Sequence, residues 1–252
     1  MFGQNKFVCI AGKNSCSINF VKFVKSQISK NKILILPNVN DTGKDSWQPS
    51  LKKFAIKNKF KLTTLKQLYK IKNLIFISIE FENIINVKRF SSNELYNFHF
   101  SLLPKYRGCH TNFFQIYNGE KESGVTIHRI DNGIDTGPII DQIKFSIKKN
   151  TNAYQNYFVL MKFALTLFKK NFKKILNNDC KFKKQKLYKG SYYSKSSIDY
   201  NKMKIFNVNK INAKTFNRIK AFIFPPLQLP IVNNKNVKNI KLINKKYKIY
   251  YD

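Results

Sequence analysis

Short apolar runs separated by stretches of helical periodicity occupy the first 180 residues of the chain. The apolar runs are KFVCIAG (6–12), KILILP (32–37), NLIFISIEF (73–81) and ELYNFHFSLL (94–103). Runs of this length with few polar residues are typical of strands buried on both faces of a parallel sheet. Between the first two runs, Ile18, Val21 and Val24 recur at helical spacing. The alternation predicts an α/β fold, with a mostly parallel sheet flanked by helices.

The rest of the chain changes character at about residue 180. The further predicted elements are strands at 124–130 and 139–147, a long helix at 151–178, a helix near 212–222 and a strand at 240–251. After the long helix the sequence breaks into short segments rich in Tyr, Ser and Lys. We therefore predict a main domain at 1–180 and a small β-rich C-terminal subdomain at 181–252.

The four cysteines are scattered and form no CxxC pair: Cys9, Cys16, Cys109 and Cys180. This pattern favours reduced thiols over a disulfide framework or a zinc site, so we expect no metal. No apolar run approaches the ~20 residues that a membrane-spanning helix needs. The first residues lack the charged head, apolar stretch and cleavage site of a signal peptide. These features predict a cytoplasmic protein without a membrane span.

The formal net charge is +34, and 43 of the 47 basic residues are lysine. Recognition of bases and phosphates favours arginine, whose planar fork forms paired hydrogen bonds. The lysine excess accompanies an asparagine excess along the whole chain, as a coding bias toward AT-rich codons would produce. An anionic partner stays open as well, either a nucleotide diphosphate or a nucleic acid, above all for the 18 basic residues after position 180.

The segment NFHFSLLPKYRG (97–108) places Asn97 and His99 two residues apart in a predicted strand, so both side chains point to one face. The phenylalanine after each then packs on the other face. Pro104 is expected to end the strand, which puts the pair at its carboxyl end, where open α/β sheets bind ligands. His99 can transfer protons near neutral pH, and Asn97 can donate to an oxyanion. A buried histidine paired with a nearby asparagine explains the same spacing, so the spacing alone leaves both interpretations open.

The loop DNGIDTGP (131–138) holds two aspartates, two glycines and a proline in eight residues. Such a loop lets the backbone approach a ligand closely. Asp135 could orient His99, as a carboxylate does for a catalytic imidazole. A turn built on local hydrogen bonds of Asp and Asn has the same composition, so this loop also has two interpretations.

Together, NFHFSLLPKYRG (97–108) and GVTIHRIDNGIDTGPII (124–140) resemble the N10-formyltetrahydrofolate-dependent formyltransferase family. The stretches that most resemble its sugar-nucleotide N-formyltransferases are AGKN (11–14), WQPSL (47–51), FISIEFENII (76–85) and HTNFFQIYNGE (110–120). The resemblance covers roughly residues 8–180 and implies a Rossmann-like core. It implies transfer of a formyl group from N10-formyltetrahydrofolate to a dTDP-linked amino-dideoxysugar. The expected acceptor is dTDP-4-amino-4,6-dideoxyglucose, used in surface polysaccharide (O-antigen) biosynthesis.

The resemblance also implies roles for individual residues. Asn97, His99 and Asp135 correspond to the catalytic triad of the family. The co-substrate N10-formyltetrahydrofolate is expected to bind at Ser78, Glu80, Phe81, Ile84, Asp131 and Ile134. A buried strand and its turn are the plainer explanation of 76–85, although Glu80 is hard to bury without a partner.

The nucleotide-linked sugar is expected near the first helix. Gly12, Lys13 and Asn14 precede a helix start, whose free N–H groups attract anions. A solvated turn explains these residues equally well. Lys105 and Arg107 begin a basic loop that could help to hold the anionic substrate.

Two other functions remain open. A methionyl-tRNA formyltransferase would use the basic charge, although the chain after residue 180 is short for the tRNA-binding barrel of that branch. HTNFF also stands where the tRNA enzymes usually have an Ala/Pro-rich segment. Outside the enzymes, an inactive formyltransferase-like domain could bind nucleotide or nucleic acid, but the intact Asn97, His99 and Asp135 argue against it. The sugar branch implies a homodimer and no nucleic-acid partner.

Overall fold

The computed structural model of the protein describes residues 5–252. Its helices are α1 (Asn14–Lys25), α2 (Leu51–Lys57), α3 (Leu65–Leu68), α4 (Thr111–Tyr117), α5 (Ala153–Leu176), α6 (Tyr200–Met203) and α7 (Ala213–Phe222). Its strands are β1 (Phe7–Gly12), β2 (Ile33–Pro37), β3 (Lys61–Leu62), β4 (Leu74–Ile79), β5 (Glu94–His99), β6 (Arg107–Gly108), β7 (Glu122–Arg129), β8 (Ile139–Ser146), β9 (Tyr192–Tyr193), β10 (Ile205–Phe206), β11 (Ile231–Val232), β12 (Lys235–Ile243) and β13 (Lys246–Tyr251).

Seven strands form one sheet in the order β3-β2-β1-β4-β5-β7-β8. Neighbouring strands from β3 to β5 are parallel, whereas β7 runs antiparallel to β5. Strands β1, β2 and β4 are buried at nearly every position, which explains why their sequences are continuously apolar rather than alternating. The predicted α/β fold with a mostly parallel sheet is confirmed.

Aromatic side chains pack helices α1 and α5 on the sheet. The ring centroid of Phe20 in α1 lies 4.9 Å from that of Phe98 in β5 and 4.3 Å from that of Phe168 in α5. Each such pair contributes about 0.5–1.5 kcal/mol beyond the burial of its area. Because Phe98 is held on this face, the residues on either side of it, Asn97 and His99, point to the opposite face.

Strand β5 ends at His99, before the position that the sequence predicts. Pro104 lies in a turn beyond it, so the expectation that the proline ends the strand is wrong. The chain leaves the sheet directly after His99 because β5 pairs with β7 only as far as His99 and Thr126. His99 is therefore the last strand residue.

The chain divides into two compact units that are discontinuous in sequence. One contains the described residues up to His99 together with Val125–Ile143 and Lys162–Leu187. The other contains Phe100–Gly124, Lys144–Met161 and Tyr188–Asp252. This division differs from the predicted boundary at residue 180. Within the second unit, α4 shares an aromatic core with α7, which groups a central segment of the chain with the C-terminal residues.

A four-stranded sheet in the order β10-β11-β12-β13 lies in the second unit. Helix α7 packs on it through Phe216 and Ile219. Strands β12 and β13 are joined by Asn244 and Lys245, whose φ angles of 47° and 61° are those of two-residue hairpin turns. The strand predicted at 240–251 is therefore part of a hairpin, and the predicted β-rich C-terminal part is confirmed.

Candidate active site

Three polar side chains lie side by side on neighbouring strands. Ser78 of β4 pairs with Asn97 of β5, and Asn97 pairs with His128 of β7. Residues directly opposite each other on adjacent strands point to the same face of a sheet. Ser78 and His128 are 6% and 2% exposed, so this row is largely shielded from water. The antiparallel strand β7 thus brings a second histidine into line with Asn97.

The carboxylate of Asp135 meets this row from the loop between β7 and β8. Its Oδ1 accepts a hydrogen bond from Asn97 Nδ2 at 3.2 Å, and its Oδ2 lies 3.4 Å from His99 Nδ1. The side chains of His99 and Asp135 are only 7% and 12% exposed. A carboxylate at this distance, with little water to screen it, favours the protonated imidazole. The structure therefore brings together the three residues predicted as a triad.

His128 is the fourth member of the cluster. Its Nδ1 lies 2.9 Å from the carbonyl oxygen of Arg129, which only accepts, so Nδ1 carries a proton. In the neutral ring Nε2 then accepts from Asn97 Nδ2, which is 3.1 Å away. Asp135 Oδ1 lies 3.3 Å from the same Nε2. The amide of Asn97 thus ties β5 to both β7 and the loop.

The loop that carries Asp135 is shaped partly by its own hydrogen bonds. Asp131 Oδ1 accepts from Gly133 N at 3.1 Å and from Thr136 Oγ1 at 2.7 Å. This is the local turn that aspartate commonly forms with the backbone two residues on. The loop therefore contains the predicted turn and also presents a carboxylate to the row of polar side chains.

Close contact with β7 limits how this loop can move. A Cβ atom on Gly137 would lie 1.8 Å from the carbonyl oxygen of Arg129, so only glycine allows the approach. Asp135 has a φ of 54°, a left-handed conformation that is unfavourable for an L-residue with a side chain. The surrounding contacts must therefore hold Asp135 in place.

A pocket of about 450 Å³ adjoins the loop. Its lining comes from two segments: Val87, Lys88, Phe90, Ser92, Asn93 and Leu95, and Arg129, Ile130, Asp131 and Asn132. Ile130 N donates to Leu95 O at 2.8 Å, and the Arg129 guanidinium donates to Asn93 O at 2.9 and 2.7 Å. These bonds hold the two walls together. The volume is within the range of small-molecule sites.

One of the six residues predicted for co-substrate binding, Asp131, lines this pocket. Phe81 instead packs against Phe76 of the core, with ring centroids 6.1 Å apart. Ile84 and Ile134 are 81% and 40% exposed. Phe81 and Ile84 do not line this pocket, and their predicted part in co-substrate binding stays a prediction.

The chain path after β4 explains this shift. Ser78 lies within β4, in the row of polar residues, and Glu80 turns the chain away from the sheet with a φ of 55°. The segment that follows must reverse before it enters β5. The residues just before β5 therefore face the pocket, and those just after β4 do not line it.

Gly12, Lys13 and Asn14 connect β1 to α1, as predicted. Lys13 Nζ lies 2.8 Å from Glu82 Oε1. At the start of α1, Ser15 donates to Gln48 Oε1 through both its N–H, at 3.3 Å, and its Oγ, at 2.7 Å. An anion at this helix start would therefore compete with the Glu82 carboxylate for Lys13 and with the side-chain oxygen of Gln48 for Ser15.

Lys105 and Arg107 belong to the second unit. Lys105 Nζ is 4.0 Å from Glu120 Oε1, and the lysine side chain is 60% exposed. Arg107 lies in β6, and its Nε is a buried atom with no hydrogen-bond partner among residues 5–252. The predicted part of these two residues in substrate binding stays a prediction.

The sequence predicts reduced cysteines and no metal site. Burial raises the pKa of the Cys16 thiol well above its usual value, and the charge of Glu80 raises it further. A thiol that stays protonated is a poor nucleophile. Residues 5–252 contain no group of three or more His, Cys, Asp or Glu side chains placed to hold a metal ion, and none of their helices is long and apolar enough to cross a membrane.

Two parts of this site were not predicted from the sequence, namely His128 and the wall formed by residues 87–95. A histidine within the apolar strand GVTIHRI, shortly before Asp135, was a signal available in the sequence. Its significance depends on the register between β5 and β7, which places His128 beside Asn97.

An asparagine, two histidines and an aspartate in one cluster are suited to stabilising an oxyanion while a group moves between two substrates. Residues 48–162 match the formyl transferase family. The crystal structure of WlaRD, a sugar 3N-formyl transferase, is 45% identical in sequence, with a TM-score of 0.90 over 96% of this chain and 88% of that one. The protein therefore belongs to the formyltransferase family.

Further relatives show the range of this family. The N-formyltransferase from Helicobacter canadensis, solved with folinic acid and dTDP-3-aminofucose, is 42% identical, with a TM-score of 0.90 over 95% of this chain and 88% of that one. The bifunctional polymyxin resistance protein ArnA from Wigglesworthia glossinidia brevipalpis is 29% identical over 193 residues, which are 72% of this chain and 29% of ArnA. Several methionyl-tRNA formyltransferases are also similar, and the chain spans about half of their length or less.

Proposed function

We propose that the protein transfers a formyl group from N10-formyltetrahydrofolate to the amino group of a dTDP-linked amino-dideoxysugar. The observation that carries this proposal is the cluster of Asn97, His99 and Asp135 at the carboxyl end of β5. Two relatives more than 40% identical support the substrate class. One was crystallised with dTDP and 5-N-formyl-THF, the other with folinic acid and dTDP-3-aminofucose.

The geometry suggests how these residues would act. His99 Nδ1 faces Asp135, so Nε2 is the ring nitrogen that would face the formyl group. When the neutral sugar amine attacks the formyl carbon, protonated His99 and the amide of Asn97 would donate hydrogen bonds to the oxyanion that forms. Asp135 would keep His99 charged and receive the proton that the amine loses, directly or through water.

Collapse of the tetrahedral species completes the transfer. The bond between the formyl carbon and N10 breaks, N10 takes up a proton, and the formamido sugar and tetrahydrofolate are released. To donate to the oxyanion, Asn97 must redirect one of the N–H groups that now serve His128 and Asp135. Catalytic hydrogen bonds commonly tighten only once substrates are bound.

The pocket lined by residues 87–95 and 129–132 would hold the pterin ring of the formyl donor. Val87, Phe90 and Leu95 supply apolar contacts, and Asp131 and neighbouring backbone groups supply polar ones. Ser78, Glu80, Phe81, Ile84 and Ile134 stay candidates for contacts to the rest of the donor.

The sugar nucleotide would bind through its diphosphate at the start of α1. Gly12, Lys13 and Asn14 would meet the phosphates, with the diphosphate taking the place of Glu82 as the partner of Lys13. Lys105 and Arg107 stay candidates for contacts to an anionic substrate.

The amino group at C3 of the sugar is the first acceptor to test. One relative at 45% identity is a sugar 3N-formyl transferase, and the other, at 42%, was solved with dTDP-3-aminofucose. A 4-N formyltransferase from Francisella tularensis is 22% identical, a level that supports the shared fold alone. The acceptor expected from the sequence, dTDP-4-amino-4,6-dideoxyglucose, is therefore the second candidate.

The decisive assay uses the purified protein with N10-formyltetrahydrofolate and three separate acceptors. These are a dTDP-3-amino-3,6-dideoxyhexose, dTDP-4-amino-4,6-dideoxyglucose and charged initiator tRNA. Mass spectrometry should show the gain of one formyl group on the 3-amino sugar, with release of tetrahydrofolate. The Asn97→Ala variant is the matched negative control. No gain on any amino-sugar nucleotide would refute the proposal.

Methionyl-tRNA formyltransferase is the second candidate, because several curated relatives carry that activity in their names and the net charge is +34. Formylation of the charged tRNA alone would establish it. Polynucleotide binding that weakens steeply with salt, without any formyl transfer, would instead indicate an inactive binding domain.

Two further points complete the proposal. The protein is expected to form a homodimer, which sedimentation of the purified protein can test. The formamido-sugar nucleotide is expected to serve as the donor for a glycosyl transfer into a surface polysaccharide such as O-antigen.

A further inference from the structure

Gln185 binds the loop of Asp135 from a distant part of the chain. Its Nε2 donates to the carbonyl oxygen of Asp135 at 3.0 Å and to that of Gly137 at 2.6 Å. These two carbonyls flank Thr136, so a single amide group holds the loop on both sides of one residue. Gln185 follows α5 and is 50 residues away from Asp135 in sequence.

The segment that carries Gln185 is itself attached to the sheet. Ile139 N donates to Lys183 O, and Lys183 N donates to Ile139 O, both at 2.8 Å. This pair of bonds lies just beyond the loop, at the start of β8. Gln185 therefore acts from an anchored backbone and does not merely follow the loop.

Asp135 needs such an external contact because of its own backbone. Its φ of 54° lies in the left-handed region, which residues with a Cβ atom seldom adopt without supporting contacts. The bonds of Asp131 to Gly133 and Thr136 fix the earlier part of the loop. Gln185 holds the backbone carbonyl of Asp135 itself.

We propose that Gln185 is a positioning residue, which holds the backbone of Asp135 in its left-handed conformation and so keeps the carboxylate against His99. The inference rests on the proposed function for its effect on turnover, but not for its effect on His99. From this backbone position the carboxylate reaches both Asn97 and His99. Groups that orient a catalytic residue through hydrogen bonds typically need tolerances of about 0.5 Å.

The pKa of His99 depends directly on how close the Asp135 carboxylate lies to its ring. The titratable groups known to face the His99 ring are Asp135 from the loop and His128 from β7, whose ring centroid is 6.4 Å away. If the loop loosens, the carboxylate spends less time beside Nδ1 and the pKa of His99 falls. The protein has three histidines, so their ring signals can be assigned by substitution and titrated by NMR.

The test compares Gln185→Met with a matched control. Methionine keeps the length of the side chain and removes both donated bonds. The control is Asn171→Leu, because Asn171 is also an amide that donates to two acceptors in the same unit, Asp141 Oδ2 at 2.9 Å and Leu167 O at 3.0 Å. Gln185→Glu is a second variant of the same shape, in which an oxygen would face the two carbonyls.

We expect the pKa of His99 to fall in Gln185→Met, because the carboxylate that favours the protonated ring lies beside Nδ1 for less of the time. Turnover should fall about 10–100-fold, with little change in KM for the sugar nucleotide, since the change affects positioning and not binding. Asn171→Leu should lower the melting temperature without moving either quantity.

Two results would overturn the inference. One is a His99 titration in Gln185→Met and Gln185→Glu that matches the wild type. The other is an equal shift in Asn171→Leu, which would mean that general loosening is the cause. The titration needs no substrate, so a protein that transfers no formyl group would refute the proposed function and still leave the role of Gln185 measurable.

Discussion

His99 Nδ1 lies 3.4 Å from Asp135 Oδ2, although 36 residues separate the two in sequence. The contact joins the last residue of β5 to the loop that follows β7. Because the Asp135 carboxylate pairs with Nδ1, it fixes the orientation of the imidazole, and Nε2 points away from Asp135. This contact leaves Nε2 as the ring nitrogen of His99 that can face a substrate.

Asp135→Asn should lower kcat by about 10²-fold or more, because the variant keeps the shape and removes the charge that stabilises the imidazolium. Without that charge His99 loses its proton at a lower pH, so the alkaline limb of the kcat profile should move to lower pH. The profile of the wild type is the reference. Asp141→Asn is the control, since Asp141 pairs with Lys170 on the same unit. An unchanged profile in Asp135→Asn would remove the assigned role.

His128→Gln should reduce kcat by roughly 10-fold, less than the ~10²–10³-fold expected for loss of an oxyanion donor in Asn97→Ala or His99→Ala. His128 contacts Asn97 and Asp135, and so it supports the triad. It does not itself donate to the oxyanion, as Asn97 and His99 would. Steady-state kinetics of the variants give the ranking. His110→Asn serves as a histidine control, and a loss in His128→Gln as large as that in His99→Ala would contradict the ranking.

Gly137→Ala should nearly abolish activity, because its Cβ would meet the backbone oxygen of Arg129 at 1.8 Å and must push the loop off β7. Gly133→Ala in the same loop is the matched control. There the nearest atoms to a new Cβ belong to the Thr136 side chain rather than to the backbone, so the side chain can shift at the expense of its bond to Asp131. Formyl transfer and thermal melting should both be affected more strongly at Gly137. Similar losses at the two positions would show that the contact with Arg129 is not the cause.

Val87→Trp should raise the dissociation constant for the formyl donor by at least about 10-fold, since the indole would fill much of a pocket of about 450 Å³. Binding of the sugar nucleotide should be unchanged. Calorimetry with each ligand separates the two effects. Ile56→Trp, at an α2 position that is 58% exposed, is the control for adding an indole. Unaltered donor binding in Val87→Trp would place the pterin elsewhere.

Lys220→Met should stabilise the protein at pH 7. Burial lowers the pKa of Lys220 from 10.5 to about 8, although Nζ donates to Lys149 O at 2.7 Å. A shift of this size corresponds to at most about 3–4 kcal/mol, and the lost hydrogen bond reduces the net gain to roughly 1–2 kcal/mol.

The stabilisation by Lys220→Met should depend on pH. Between pH 8 and 10.5 the unfolded wild type binds more protons at Lys220 than the folded protein does. The free energy of unfolding therefore increases as the pH rises. Lys220→Met lacks this increase, so its excess in free energy of unfolding over the wild type should shrink between pH 8 and 10.5. Denaturant unfolding of both proteins at several pH values measures the difference. A constant difference across the window would contradict the assigned cause.

The parallel core was predictable because burial on both faces leaves a local mark on the sequence. The runs that form β1, β2 and β4 are apolar at successive positions, and no other common element has that pattern at that length. The polar pair of Asn97 and His99 was equally visible, since its spacing of two places both side chains on one face. The end of β5 was misjudged because a proline marks where a strand must stop, not where its pairing ends.

The amino-acid sequence by itself determined the strand–helix order, the polar pair and the loop with Asp135, since each depends on residues that are close together in the chain. Tertiary structure alone decided that His128 stands beside Asn97, that residues 87–95 form the pocket wall and that Gln185 holds the loop. Those contacts depend on strand register and on the return path of the chain. Both are set by packing between segments far apart in sequence, which no local periodicity encodes.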